Sequence, residues 1–199
     1  MKSTNWQGYR VLAWIGQALL TLAVIIAAVQ GNWLNALALA CFLVVSFVFV
    51  TQEDRLPTLF DFLFVLAALL NAGGWVWDLF YMPGPYDEIV HAYTTFAITL
   101  ALSFLVYSSM LNIFRHHKFL YLLTIASFGI AIGALWEITE WSAGKILSTK
   151  IIGSLNDTVV DLMMDSLGAA LAAFISLWAL QEWTNNHAQS KNSRSELYR

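Results

Sequence analysis

Residues 11–29 read VLAWIGQALLTLAVIIAAV, a run without a single charged side chain. The hydrocarbon core of a bilayer is ~30 Å thick and is crossed by about 20 residues of helix. The run is long enough to cross, so it reads as a membrane span. Its start, with Met1-Lys2 and Arg10 ahead of the apolar stretch, also suits a secretory leader. Length favours a retained helix. Outward from this segment the pattern recurs, and the chain divides into apolar runs at about 9–29, 33–50, 58–81, 87–111, 119–141 and 156–181. Between them lie Gln30-Gly31-Asn32, Thr51–Pro57, Met82–Tyr86, Asn112–Lys118 and Ser142–Leu155, all turn-forming or charged. The expected fold is all-α: a polytopic membrane protein, a bundle of about six transmembrane helices. Residues 1–181 form one domain, and 182–199 form a polar cytoplasmic tail.

Composition agrees. Charged residues are 12% and hydrophobic residues 59% of the chain, where soluble domains carry roughly 25% charge. A net charge of −3 without a basic stripe excludes a nucleic-acid partner. The single cysteine, Cys41, rules out an intrachain disulfide, and its apolar surroundings read as buried packing.

The basic residues set the orientation. With a cytoplasmic N-terminus, Lys2, Arg10, Arg55, Arg115, Lys118, Lys191, Arg194 and Arg199 fall on the cytoplasmic side, and only Lys145 and Lys150 on the other. Both termini are therefore expected in the cytoplasm. Trp33, Trp75, Trp77, Tyr81, Trp136 and Trp141 then sit near the far interface, where such rings concentrate. Gly129-Ile-Ala-Ile-Gly133 is a small-xxx-small pattern that permits close helix approach.

The residues that carry chemistry are ionisable groups inside apolar helices: Asp78 in the third, Asp87, Glu88 and His91 in the fourth, Glu137 and Glu140 in the fifth, Asp157, Asp161 and Asp165 in the sixth. Asp87 and His91 are i,i+4, Glu137 and Glu140 i,i+3, and the three aspartates i,i+4,i+8, so each set shares a helix face. At ~1.5 Å rise per residue, Asp78, Asp87, Glu140 and Asp157 lie within about a turn of the far interface. His91, Glu137 and Asp161 lie about 6–9 Å below it, and Asn71 and Asp165 about 13–15 Å. A charge at a span's centre costs about 2.5–3.5 kcal/mol on the mildest scale. So many carboxylates together need bound cations, protons or water. Imidazole with carboxylates suits Mg²⁺, Mn²⁺, Ca²⁺, Fe²⁺ or Zn²⁺. The expected metal ligands are His91, Glu137, Asp161 and Asp87, with Glu140, Asp157 and Asp165 as catalytic carboxylates. No Gly-x-Ser-x-Gly and no phosphate-cradling glycine loop occurs.

Tyr86-Asp87-Glu88-Ile-Val-His91, Trp136-Glu137-Ile-Thr-Glu140-Trp141 and Asp157-Thr158-x-x-Asp161-x(6)-Gly168-Ala169 together resemble the YjdF-like bacterial inner-membrane proteins. More distantly they are similar to VanZ-like membrane proteins. The resemblance implies a multi-helix protein of a bacterial inner membrane and supplies no reaction. Glu88 stands where that pattern often has lysine, and Asp165 lies outside it. The leading functional expectation is a metal-dependent hydrolase or transferase acting on a lipid or lipid-linked substrate from the extracytoplasmic side. The alternatives are a proton- or cation-coupled transporter or channel, and a non-enzymatic membrane component.

Overall fold

In lipid, every backbone N–H and C=O must find a partner within the segment, which leaves helices for runs of this length. The computed structural model describes residues 6–51, 57–114, 117–147 and 154–196. Over these it is built from six long helices and contains no strand: α1 (Gln7–Val29), α2 (Trp33–Thr51), α3 (Thr58–Val76), α4 (Tyr86–Phe114), α5 (Lys118–Leu147) and α6 (Leu155–Glu196). Five of them, α1, α2, α3, α5 and the Leu155–Ala179 part of α6, are long and apolar enough to cross a membrane. The sixth, α4, is 29 residues long and carries Asp87, Glu88 and His91 in its first turns. It packs against α3, α5 and α6. The chain is a polytopic membrane bundle.

Helix ends follow local chemistry. Gly31, at φ 74°, takes the left-handed position after α1. From there the Asn32 N–H reaches back to the Ala27 carbonyl at 2.9 Å. α3 stops at Val76, short of the expected 81, because Asp78 adopts a left-handed φ of 54° and a 3-10 turn, Leu79–Tyr81, follows. Aspartate tolerates that conformation better than most side chains. α5 runs past the expected 141 to Leu147, so Lys145 lies in its last turn over the Trp141 ring. α6 continues to Glu196, past the point at 181 where the polar tail begins. The basic residues Lys2, Arg55, Arg115, Lys150 and Arg199 lie outside the described residues.

The helices group as two trios joined where α3 meets α4. In the first, Ala13, Leu20, Leu39, Val50, Val65 and Ala72 form one buried cluster across α1, α2 and α3. Gln17 donates to the Ser46 hydroxyl at 2.8 Å within it. In the second, α6 packs extensively on both α4 and α5. Small residues make this possible. A Cβ on Gly168 would run into the Ala92 carbonyl of α4, and one on Gly133 would sit 2.6 Å from the Asp165 Cβ of α6. The small-xxx-small segment is thus the seam between α5 and α6, where dispersion rather than hydrophobic exclusion rewards close approach.

Candidate functional site

Those close approaches bring the ionisable side chains together. Helix α4 begins just after Pro85 and places His91 one turn in from Asp87, facing α5 and α6. The imidazole is 8% exposed and meets carboxylates at both ring nitrogens. On the Nε2 side are Asp87 Oδ1 at 3.6 Å and Glu137 Oε1 at 3.8 Å. On the Nδ1 side is Asp165 Oδ1 at 3.4 Å. Asp87, His91 and Asp161 each bring a ligand atom within 4.8 Å of the others, and so do His91, Glu137 and Asp165.

Each partner is fixed differently. Asp165, 2% exposed, accepts a 2.6 Å hydrogen bond from the Thr95 hydroxyl, one turn below His91 on α4. Glu137 is buried, yet neither of its carboxylate oxygens has a hydrogen-bond partner. A buried carboxylate short of hydrogen bonds is expensive, and the His91 imidazole at 3.8 Å is the charge placed to offset it. Asp161 is also buried. One imidazole cannot offset four neighbouring carboxylates even when fully charged, which leaves bound cations, protons on the carboxyls or water to neutralise the rest.

Asp87, His91, Asp165 and Glu140 line one end of a cavity of about 470 Å³ bordered by α2, α3, α4, α5 and α6. Its remaining walls are mostly apolar and aromatic, including Phe42, Phe49, Phe64, Trp75 and Trp136. Asn71 adds a polar point on α3, donating to Thr94 Oγ1 at 3.1 Å. Tyr81, in the turn outside the helices, has its phenol pushed above its ordinary value by partial burial and then by the negative charge of Glu140.

Several expectations need correction. Asp78 is exposed in its left-handed turn and stands apart from the cluster. Asp165 was placed deeper than His91 by counting rise alone, yet the two are in contact, because α6 starts well outside the level at which α4 starts. Asp157 is exposed at the start of α6. Glu88 is half-buried, with one carboxylate oxygen buried and not hydrogen-bonded. Trp75 and Trp136 line the cavity, while Trp33, Trp77, Tyr81 and Trp141 are exposed. Cys41, expected to be buried, is exposed and lines the cavity. Thr95 went unnoticed, although its i+4 spacing from His91 was readable. Asp61, in the first turn of α3, pairs with Arg10 at 3.6 Å, remote in sequence from the cluster.

No curated protein and no solved structure matches the chain. Residues 9–182 match the family described as predicted membrane protein DUF2238. YjdF is among its members, so the motif resemblance and the family agree. The match covers both helix trios and every residue of the acidic cluster, and the chain belongs to the DUF2238 family of membrane proteins.

Proposed function

We propose that this protein binds a divalent metal ion in the acidic pocket and uses it to act, as a hydrolase or transferase, on a lipid or lipid-linked substrate at the extracytoplasmic face. The observation that carries the reading is the spacing around His91 Nε2. Its 3.6 and 3.8 Å separations from Asp87 and Glu137 are too long for charge-assisted hydrogen bonds of about 2.7–2.9 Å. They approach the ~3.4 Å edge of a tetrahedron with 2.0–2.2 Å metal–ligand bonds. Glu137, buried with neither carboxylate oxygen hydrogen-bonded, is the side chain that a cation would satisfy. In this reading His91 Nε2, Asp87, Glu137 and Asp161 would be the ligands; they come from two overlapping groups, Asp87–His91–Asp161 and His91–Glu137–Asp165, so Glu137 would have to draw toward Asp87 and Asp161 around an ion.

Asp165 then has a different role from the catalytic one expected. It faces Nδ1 and is itself held by Thr95. That is the arrangement in which a carboxylate orients a ligating histidine. Glu140, facing the cavity and outside both ligand groups, is the better placed general base. Asp157, exposed at the mouth, is the other candidate base. The metal would polarise a phosphoryl or carbonyl oxygen. The basic-residue bias supports a pocket outside the cytoplasm with both termini inside, and the YjdF-like resemblance supports a bacterial inner membrane.

A second reading, a proton- or cation-coupled transporter, has one observation in its favour. Thr95, Thr99 and Ser103 continue the buried face of α4 below His91 at steps of four, and the Thr99 hydroxyl has no partner. Against it, the α5–α6 seam further in is bridged where the Tyr121 hydroxyl donates to Ser176 at 2.9 Å.

Metal analysis of purified protein tests the reading. Stripped and reloaded wild type should retain metal stoichiometrically, and His91→Ala and Asp161→Ala should lose it. Undiminished metal in both variants refutes the ligand set. No metal under any loading condition would leave protonated carboxyls as the neutralising agent.

A further inference from the structure

The cavity is far larger than a metal site needs and falls in the ~300–1,000 Å³ range of small-molecule pockets. Its shape is informative. It is lined from Ala38 to Phe49 on α2, from Phe64 to Trp75 on α3 and from Asp87 to Ile98 on α4. Each stretch is about 16 Å of helix at ~1.5 Å per residue. That is about half of a ~30 Å hydrocarbon core, the depth of one leaflet. One end is acidic, and the other, at Phe49, Phe64 and Ile98, is apolar.

The cavity also opens sideways. Its lining residues Cys41 and Val45 are exposed on α2, among Leu37, Val44 and Val48, which form an exposed apolar face at the depth of the hydrocarbon. α2 packs extensively on α1 and α3 and meets α5 at the Phe42–Trp136 ring contact, 6.1 Å between centroids. An opening at that position faces lipid rather than water.

Among the described residues, no lysine or arginine lines the cavity, whereas three carboxylates and one imidazole do. A headgroup carrying only negative charge would be repelled there unless a metal intervened. A zwitterionic headgroup with a primary ammonium fits both parts: N–H donors for the carboxylates, which a quaternary ammonium lacks, and a phosphate at the metal. We infer that the cavity takes one acyl chain of an outer-leaflet phosphoethanolamine lipid through the gap between α2 and α5, seating its headgroup at the acidic end. The phosphate contact rests on the proposed metal site; the chain and the ammonium do not.

The test uses the full chain in nanodiscs of phosphatidylcholine. Trace lipids carry a photoactivatable diazirine on one acyl chain, with a phosphoethanolamine headgroup, a phosphoglycerol headgroup or none (diacylglycerol). Adducts are mapped by mass spectrometry, and metal content is measured on the same samples. Adducts should concentrate on cavity residues such as Val45, Ile98 and Ile132, most strongly for phosphoethanolamine. Cys41→Trp, a change at an exposed position, should lower cavity adducts about tenfold, with Ala38→Leu as a second plug. Adducts spread over the outer face at Val44 and Val48, or unaffected by both plugs, overturn the chain site even if metal binds. Equal cavity labelling by all three lipids overturns the headgroup assignment. Cavity labelling that prefers phosphoethanolamine in a metal-free protein supports this inference while refuting the metal reading.

Discussion

Gly133→Ala should damage the metal site more than it damages the fold. The added Cβ would sit 2.6 Å from the Cβ and Cγ of Asp165, where ordinary carbon–carbon contact is ~3.5–4.0 Å. α5 and α6 must therefore part locally by about 1 Å. Overpacking of this kind costs about 1–3 kcal/mol, and alanine returns up to about 1 kcal/mol of helix propensity, leaving a net loss of about 0–2 kcal/mol. A 1 Å shift of Asp165 stretches its 2.6 Å bond from Thr95 beyond hydrogen-bonding range and releases its hold on His91. Losing such an orienting group typically lowers metal affinity about 10–100-fold. Gly129→Ala is the control. Its Cβ would run into the Thr99 hydroxyl of α4 and meet the Ala169 Cβ of α6 at 2.5 Å, one turn along the same seam and away from the carboxylates. Both variants should melt similarly below wild type in detergent, and only Gly133→Ala should show weakened metal binding by titration. Equal metal affinities in the two would refute the argument that α5 reaches the site by way of Asp165.

Thr95→Val, which removes the hydroxyl donor at nearly constant shape, should weaken metal binding about tenfold, and Thr95→Ser should restore it, both measured by metal titration. Asp61→Asn should lower the melting temperature, by an effect of about 1–3 kcal/mol once the partial exposure of Arg10 is discounted, and leave metal binding unchanged. For orientation, in a Cys41→Ser background, cysteine at Asn32 should react with an impermeant thiol reagent on intact cells and cysteine at Ser193 only after permeabilisation; the opposite pattern inverts the topology. Ser148, the other informative loop position in sequence, lies outside the described residues. For access, cysteines at the buried positions Ala173 and Ser176 should stay unreactive to that reagent. Strong labelling there would reveal a continuous aqueous path and favour transport.

The helix count was legible because hydropathy is an additive property of a segment, and the six runs required no knowledge of partners. Boundaries were legible where a turn residue stood at them, as at Gly31 and Pro57, and illegible at Val76, where one left-handed aspartate ends α3 inside a run of aromatics. Spacing alone put Asp87 with His91 and Asp161 with Asp165 on common faces. It could not level α4 against α6, because that offset depends on how far each helix projects, and so Asp165 was placed too deep. Cys41 was misread for a similar reason: in a soluble core an apolar neighbourhood implies burial, whereas in a bundle it is equally the mark of the lipid face. The cavity had no signature at all, since its walls come from five helices whose mutual spacing is a tertiary property.

The two trios divide the physical requirements of a site inside a membrane. Holding several carboxylates at fixed separations needs rigid backbone supports, and the α4–α6 trio provides them through Gly133 and Gly168, where no side chain intervenes between helices. A rigid trio alone would seal the acids from any lipid. The α1–α3 trio, with its own apolar cluster and its contact to the second trio mainly by way of α3, leaves the α2 side free to stand away from α5. The cavity occupies that gap. Few charge-carrying partners border it, so an ion or headgroup there would be screened less than at an aqueous surface, and each charge–charge contact would count for more. The arrangement makes a specific demand on mutants: filling the gap from the α2 side should deny access to the acidic end while leaving its geometry intact, whereas disturbing the α5–α6 seam should do the reverse. Cys41→Trp and Gly133→Ala therefore form a crossed pair, the first retaining metal and losing lipid adducts, the second losing metal affinity and retaining an open cavity.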